Sequence, residues 1–292
     1  MHRVLKGVMY GAGALGLVVI VASAGAFTVS NRKLAEKHEV RLTTVAVPDD
    51  PESVAWGGHL VNNVTNCREC HGMNLEGMVM GDDPVARMVA PNLTRGRGGI
   101  GATFTDADWV RAIRHGVRQD GRSLIVMPSY AYAYLSDRDL GAVIAYVKQV
   151  EPVDNELPQF RLRPLGRALV AAGAFDEDIV ARKVPQRERY DSVEPGLTLE
   201  YGQYLATVSG CTSCHKANLK GGPAGPPDAP PAADISPAAL RDWTRDDFFR
   251  ALREGRRPDG TEISDWMPWR FMQGMTDEEL DAIWLYIRSV EA

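Results

Sequence analysis

The 292-residue chain has four cysteines, and all of them fall in two copies of one pattern: Cys67-Arg68-Glu69-Cys70-His71 and Cys211-Thr212-Ser213-Cys214-His215. Two thiols separated by two residues on a helical turn are spaced to add across the two vinyl groups of a haem. The adjacent histidine then falls beneath the ring, where its imidazole can bind the iron. The pattern predicts two covalently bound haem c groups. Cys67, Cys70, Cys211 and Cys214 would attach them, and His71 and His215 would be axial iron ligands. Zinc binding through Cys-x-x-Cys needs a second ligand pair nearby, which each half of the chain lacks. A thioredoxin-like redox pair needs a βαβ pattern, which is also missing.

A sixth iron ligand is sought among ten methionines. A thioether opposite histidine is the pairing that suits electron transfer. Met127 and Met267 are the best placed: they follow their histidines at 56 and 52 residues, and both precede proline. Proline has no N–H and a fixed φ, so it stiffens the loop that delivers the sulfur. Aromatic residues accompany both, with Tyr130, Tyr132 and Tyr134 after the first and Trp266 and Trp269 around the second. The competitors are Met73, Met78, Met80 and Met88 in the first half and Met272 and Met275 in the second. His59 and His115 have no histidine counterpart in the second half and are read as surface residues.

The elements that must position these groups repeat. Gly58 and Gly202 each stand nine residues before the first cysteine, and Asn74-Leu75-Glu76-Gly77 matches Asn218-Leu219-Lys220-Gly221. Phe104-Thr105, Arg114, Gly116, Asp120 and Gly121 match Trp243-Thr244, Arg253, Gly255, Asp259 and Gly260. In each unit a helix leads into the cysteines, and a long loop rich in Gly and Pro follows (72–101; 221–237). Thr105 or Thr244 then caps a helix with apolar residues at helical spacing. The Met-Pro loop comes next, and Ser136 or Thr276 caps a closing helix.

These features resemble the class I cytochrome c domains that occur in tandem in membrane-bound dehydrogenase cytochrome subunits and related di-haem proteins. The resemblance rests on Pro91-Asn92-Leu93-Thr94, Gly99-Ile100-Gly101, Thr105-Asp106-Ala107-Asp108, Gly116-Val117, Asp120-Gly121 and Met127-Pro128. It implies that the Asn-Leu-Thr segment packs against the haem and that the methionine before proline is the distal ligand. The second unit departs by carrying Asp234-Ile235-Ser236 and a cluster of prolines that includes Pro226 and Pro227. Such dehydrogenase subunits usually carry three haems, and this chain has motifs for two.

The fold expected is all-α: two tandem cytochrome c-like helical domains preceded by one transmembrane helix. The divisions are residues 1–30 (anchor or signal peptide), 31–55 (linker), 56–150 (first domain), 151–196 (linker with a short helix near Leu165–Ala172) and 197–292 (second domain). Val8–Ser30 carries no charge and is long enough to span a bilayer. Ala22-Ser23-Ala24 and Ala24-Gly25-Ala26 resemble signal cleavage sites, but the uncharged run exceeds a typical signal core and favours a retained anchor. Either reading puts the haem domains outside the cytoplasm, in the periplasm or its equivalent. A net charge of −5 gives no sign of nucleic-acid binding. The acidic excess lies in the second half, a face suited to a basic partner. The function expected is electron transfer between protein partners, such as a dehydrogenase, an oxidase or another electron-transfer complex, with no catalytic residue of its own. The alternative is a di-haem peroxidase with one open iron, which the two Met-Pro loops argue against.

Overall fold

The computed structural model describes residues 2–176, 179–185, 192–225 and 229–291; Pro226 and Pro227 lie outside them. Helix α1 (His2–Ala35) is one continuous span whose apolar length suffices to cross a membrane. The chain from 36 to 50 then lies against the first haem-motif half: Val45 is buried, and His38 N–H donates to Gly121 O at 2.8 Å.

Two units of the same design follow. In the first, Asp50 caps α2 (Pro51–His59) through Ser53 N–H, with Pro51 in the first turn, where no N–H is needed. Leu60–Val64 continues it as a π-turn, closed by Thr65 N–H to Leu60 O at 2.8 Å, and α3 (Cys67–His71) carries the first motif. Strands β1 (Met78–Asp82) and β2 (Ala86–Ala90) form an antiparallel hairpin. Helices α4 (Asp106–His115), α5 (Ser129–Tyr132) and α6 (Asp137–Gln149) complete the unit. Then β3 (Arg161–Leu162) pairs with β2, and α7 (Pro164–Ala172) packs beside α1. The second unit is α8 (Leu199–Val208), α9 (Cys211–His215), α10 (Arg245–Glu254) and α11 (Asp277–Ser289). Thr105, Thr244 and Thr276 all close reciprocal capping boxes with the carboxylate three residues on, and Ser136 caps α6.

The expectation of an all-α chain is corrected by the three-stranded sheet β1-β2-β3. It falls inside the loop expected over 72–101 and in the segment expected as a linker. The same segment contributes more contacts to the first unit: Val153 O accepts from Asn92 Nδ2 at 2.7 Å, and Asn155 Nδ2 donates to Glu76 O at 2.9 Å.

The crossing of first and last helices is the same in both units. A Cβ on Gly57 would lie 1.9 Å from Ala142 O, and one on Gly202 would lie 1.9 Å from Ala282 O. Only glycine admits backbone approach this close. Gly57, not Gly58, is therefore the counterpart of Gly202. The first unit has one more residue between this glycine and its cysteine, and the π-turn absorbs it, as single-residue helical insertions commonly do. One apolar cluster runs through both units, from Leu60, Leu140 and Ile144 to Leu205, Leu280 and Ile283.

Candidate functional site

Each Cys-x-x-Cys-His motif is a single helical turn entered from a left-handed residue, Asn66 (φ 52°) in one unit and Gly210 (φ 84°) in the other. The following motif closes the turn identically. Leu75 and Leu219 are buried and both have φ 60°, which is unusual for leucine. Gly77 and Gly221, also left-handed, donate N–H to the motif histidine's carbonyl, His71 O at 2.6 Å and His215 O at 2.8 Å. Leu93 N–H to Leu75 O and Ile235 N–H to Leu219 O, both 2.8 Å, dock the returning strand.

That docking fixes the imidazoles. His71 Nδ1 lies 2.9 Å from Pro91 O and His215 Nδ1 lies 2.7 Å from Ala233 O. Nδ1 is thereby the donor, and Nε2 is left with its lone pair, the arrangement second-shell carbonyls give to metal-bound histidine. Burial lowers both imidazole pKa values, against an opposing carbonyl contact, and so favours the neutral, ligating form. The hairpin that sequence reading missed carries Pro91 to this place. In the second unit a single bridge, Gly222 to Ala232, does the same for Ala233. The departure Asp234-Ile235-Ser236 keeps the turn of Asn92-Leu93-Thr94: Ser236 N–H donates to Asp234 Oδ1 and Thr94 N–H to Asn92 Oδ1, each at 2.9 Å.

The four cysteines are unpaired. Burial raises all four thiol pKa values, Cys70 to about 11 with added effect from Glu69 and Cys67. Thr65 Oγ1 and Ser209 Oγ lie 3.3 and 3.4 Å from Cys67 Sγ and Cys211 Sγ. Among the described residues no group of three His, Cys, Asp or Glu is arranged to hold a metal ion.

The Met-Pro loops are built alike. Each leaves a left-handed glycine cap, Gly116 or Gly255, and each methionine carbonyl accepts from the residue two on (Ser129 N–H or Trp269 N–H, both 2.8 Å). Val126, before Met127, has φ 73°, a strained value for a β-branched residue. Arg114, wholly buried, ties the loop's far end by Nη1 to Asp137 Oδ1 at 2.6 Å and Nη2 to Leu135 O at 2.8 Å. Arg253 does the same with Asp277 and Met275 O. In the first unit Tyr132 OH donates to Thr65 O at 2.5 Å, which brings the Met127 loop against the approach to Cys67. Met127 and Met267 are half-buried and face the shared apolar cluster.

The competing methionines sit elsewhere. Met73, Met78 and Met80 are exposed, and Met88 is on β2. Met272 and Met275 take the places that Tyr132 and Leu135 take in the first unit and are packed in the core. His59 and His115 are not the surface residues expected. His59 Nε2 is 2.8 Å from Glu279 Oε1 of the second unit. His115 is 2% exposed, and neither ring nitrogen has a hydrogen-bond partner among the described residues. No signal in the sequence separates them from surface histidines.

The two motifs adjoin. Asn66 Nδ2 donates to Ser209 O at 3.3 Å, so the turns just before Cys67 and Cys211 touch. On either side stand two equivalent clamps. Tyr204 OH donates to Asp139 Oδ2 at 2.5 Å, and His59 bonds Glu279. With Gly57 aligned to Gly202, His59 is the counterpart of Tyr204, and Asp139 is the counterpart of Glu279.

Buried polar atoms without a partner among the described residues lie beside these elements: Arg68 Nε within the first motif and Trp269 Nε1 two residues after Met267. Open buried donors, free thiols and an Nε2 that keeps its lone pair are what a haem with its propionates would satisfy, and the residues fit the group.

Residues 199–291 match the family model described as cytochrome c, and residues 53–147 match that of cytochrome c oxidase, cbb3-type, subunit III. The fructose dehydrogenase cytochrome subunit of Gluconobacter japonicus is 26% identical over 257 residues, covering 80% of this chain and 52% of that protein. The cytochrome c subunit of alcohol dehydrogenase (quinone) from Gluconacetobacter polyoxogenes is 27% identical, covering 83% and 57%. The gluconate 2-dehydrogenase cytochrome c subunit of Pantoea cypripedii is 28% identical, covering 86% and 63%. The chain thus spans between half and two-thirds of the length of these relatives.

Proposed function

We propose, from the premise that this chain carries two cytochrome c-type domains homologous to dehydrogenase cytochrome subunits, that it is a di-haem electron-transfer subunit. It accepts electrons from a dehydrogenase partner and passes them to a second redox protein on the extracytoplasmic face of a membrane, held there by α1. The observation that carries this reading is the duplicated site: two Cys-x-x-Cys-His turns, each with Nδ1 pinned by a carbonyl, each with a stapled Met-Pro loop. Cys67, Cys70, Cys211 and Cys214 hold the haems by thioethers. His71 and His215 would bind the irons from the motif side, and Met127 and Met267 would supply the second iron-binding sulfurs.

Haem c supplies one-electron exchange when bound, and histidine–methionine ligation sets relatively positive potentials. The protein's part is to fix and fill. The carbonyls orient the imidazoles. The proline-stiffened loops would hold the sulfurs against a bound haem and leave its iron no open position, which favours a carrier over a peroxidase. The touching turns at Asn66 and Ser209 support electron exchange between the two sites within the chain.

Denatured protein from cells with c-type maturation should retain two haems by mass, and Cys211→Ala with Cys214→Ala should leave one. The bare polypeptide mass would end the proposal. Met127→His and Met267→His should each remove one share of the weak red sulfur–iron band of the ferric state and lower one haem's potential. The same change at Met88 or Met272 should do neither.

A further inference from the structure

We propose that α7 is a second membrane contact, lying in the headgroup layer of a phospholipid bilayer beside the point where α1 leaves it; this rests on the reading of α1 as a membrane anchor. The uncharged run Val8–Ser30 rises about 34 Å at about 1.5 Å per residue, against a hydrocarbon core of about 30 Å. Phe27 to Asn31 therefore sit at one interface. This is the stretch α7 is fastened to. The Arg167 guanidinium lies 4.4 Å over the Phe27 ring, and Arg167 Nη1 donates to Asn31 Oδ1 at 2.6 Å. One helix length on, Lys33 Nζ pairs with Asp176 at 2.9 Å.

The buried side of α7 is used by the protein. A Cβ on Gly166 would lie 2.2 Å from Val85 O at the tip of the β1–β2 hairpin, and Val170 is 2% exposed. The opposite side, Leu165, Ala168 and Ala172 at helical spacing, is exposed, with Leu165 51% open. Next to it on α1, Phe27 is also 51% open. The segment Arg161–Ala172 has three arginines and no acidic residue, and Arg32 is exposed at the same level. A short apolar face flanked by cations at a membrane exit suits an interfacial helix on anionic lipid. Seated this way, α7 and the strapped α1 would fix the tilt of the haem domains over the bilayer.

The test uses the full haem-loaded chain in vesicles of phosphatidylcholine with phosphatidylglycerol. The native cysteines are consumed as thioethers, so single cysteines placed at Leu165, Leu17 and Ser264 can carry a spin label. Collision with oxygen, which concentrates in lipid, is compared with collision with a water-soluble nickel chelate. The Leu165→Cys label should resemble Leu17→Cys in α1, with nickel accessibility at least fivefold below that of Ser264→Cys on the second unit. A Leu165 label as open to nickel as Ser264, with Leu17 protected, overturns the proposal and leaves the anchor standing. A label at Leu165 shielded from both reagents, in vesicles and in detergent alike, assigns the face to a protein neighbour and also overturns it. A wet Leu17 removes the anchor and the proposal together.

Discussion

Tyr204→Phe isolates the junction between the two haem-motif units. Asp139 is 5% exposed, and its carboxylate accepts Trp56 Nε1–H at 2.7 Å and Tyr204 O–H at 2.5 Å. Tyr204 is 8% exposed, so phenylalanine fills its place but returns no donor and admits little water. A hydrogen bond to a charged group contributes about 1.5–3 kcal/mol, and an abandoned buried acceptor falls at the upper end. Urea unfolding at pH 7, followed by far-ultraviolet circular dichroism, should show that loss. A second readout separates the bond from packing. Burial, and then the Asp139 carboxylate, hold the Tyr204 hydroxyl well above its ordinary pKa. A raised folded-state value means that the native state keeps a proton the unfolded chain releases above about pH 10. The stabilisation is therefore whole below pH 10 and declines above it, by about 1.4 kcal/mol per pH unit. Wild type and Tyr204→Phe should converge as the pH rises past 10. A difference below about 0.5 kcal/mol at pH 7, the size of an ordinary surface change, or a gap that does not narrow with pH, would refute the reasoning.

Gly57→Ala should destabilise by about 3 kcal/mol or more, because its Cβ meets a backbone carbonyl that cannot move without shifting α6. Gly58→Ala should stay within about 1 kcal/mol by the same denaturation assay. It meets the edge of the Tyr146 ring, which can swing, and it gains helix propensity. The reverse order would restore the alignment of Gly58 with Gly202 and remove the role given to the π-turn. His115 makes acid stability testable. Burial, then Arg114 and Arg111, lower its pKa to about 4, so the unfolded state binds a proton the native state refuses below about pH 6.5. Stability should fall by about 2 kcal/mol between pH 7 and pH 5, and His115→Phe should flatten that part of the curve in urea titrations.

Much of the site is legible because its geometry is local. The Cys-x-x-Cys-His turn and the helix caps at Thr105, Thr244 and Thr276 are written into short motifs, and the repeat of Asn74-Leu75-Glu76-Gly77 as Asn218-Leu219-Lys220-Gly221 marks a shared turn whose left-handed leucines only the structure shows. What escaped is non-local. Strand β1, Met78-Val79-Met80-Gly81-Asp82, shows no alternation in exposure, and its sheet is completed by Leu162, 80 residues further on. A single-residue insertion is invisible when motifs are aligned from the cysteine backwards, and only the contacts of Gly57 and Gly202 with the closing helices reveal it. His59 and His115 were misplaced because lacking a histidine counterpart says nothing about burial. The counterpart of His59 is Tyr204, which has the same role with a different side chain.

That pairing shows how duplication built the junction. In an isologous interface, residue i of one copy meets residue j of the other and j meets i. Here the two copies lie in one chain, and the rule survives with different chemistry on the two sides: His59 on Glu279, Tyr204 on Asp139. Each carboxylate stands at the third position of a closing helix, where Asp139 N–H and Glu279 N–H are already engaged by their caps, Ser136 Oγ and Thr276 Oγ1. A residue held for helix capping was thus available, rigid and partly desolvated, to be reached by the neighbouring unit. The consequence falls on the proposed electron transfer. A second unit joined to the first by backbone alone would be held only at an effective concentration. The clamps and the contact between Asn66 and Ser209 set a distance instead, which is what the proposed electron exchange between two haems would need.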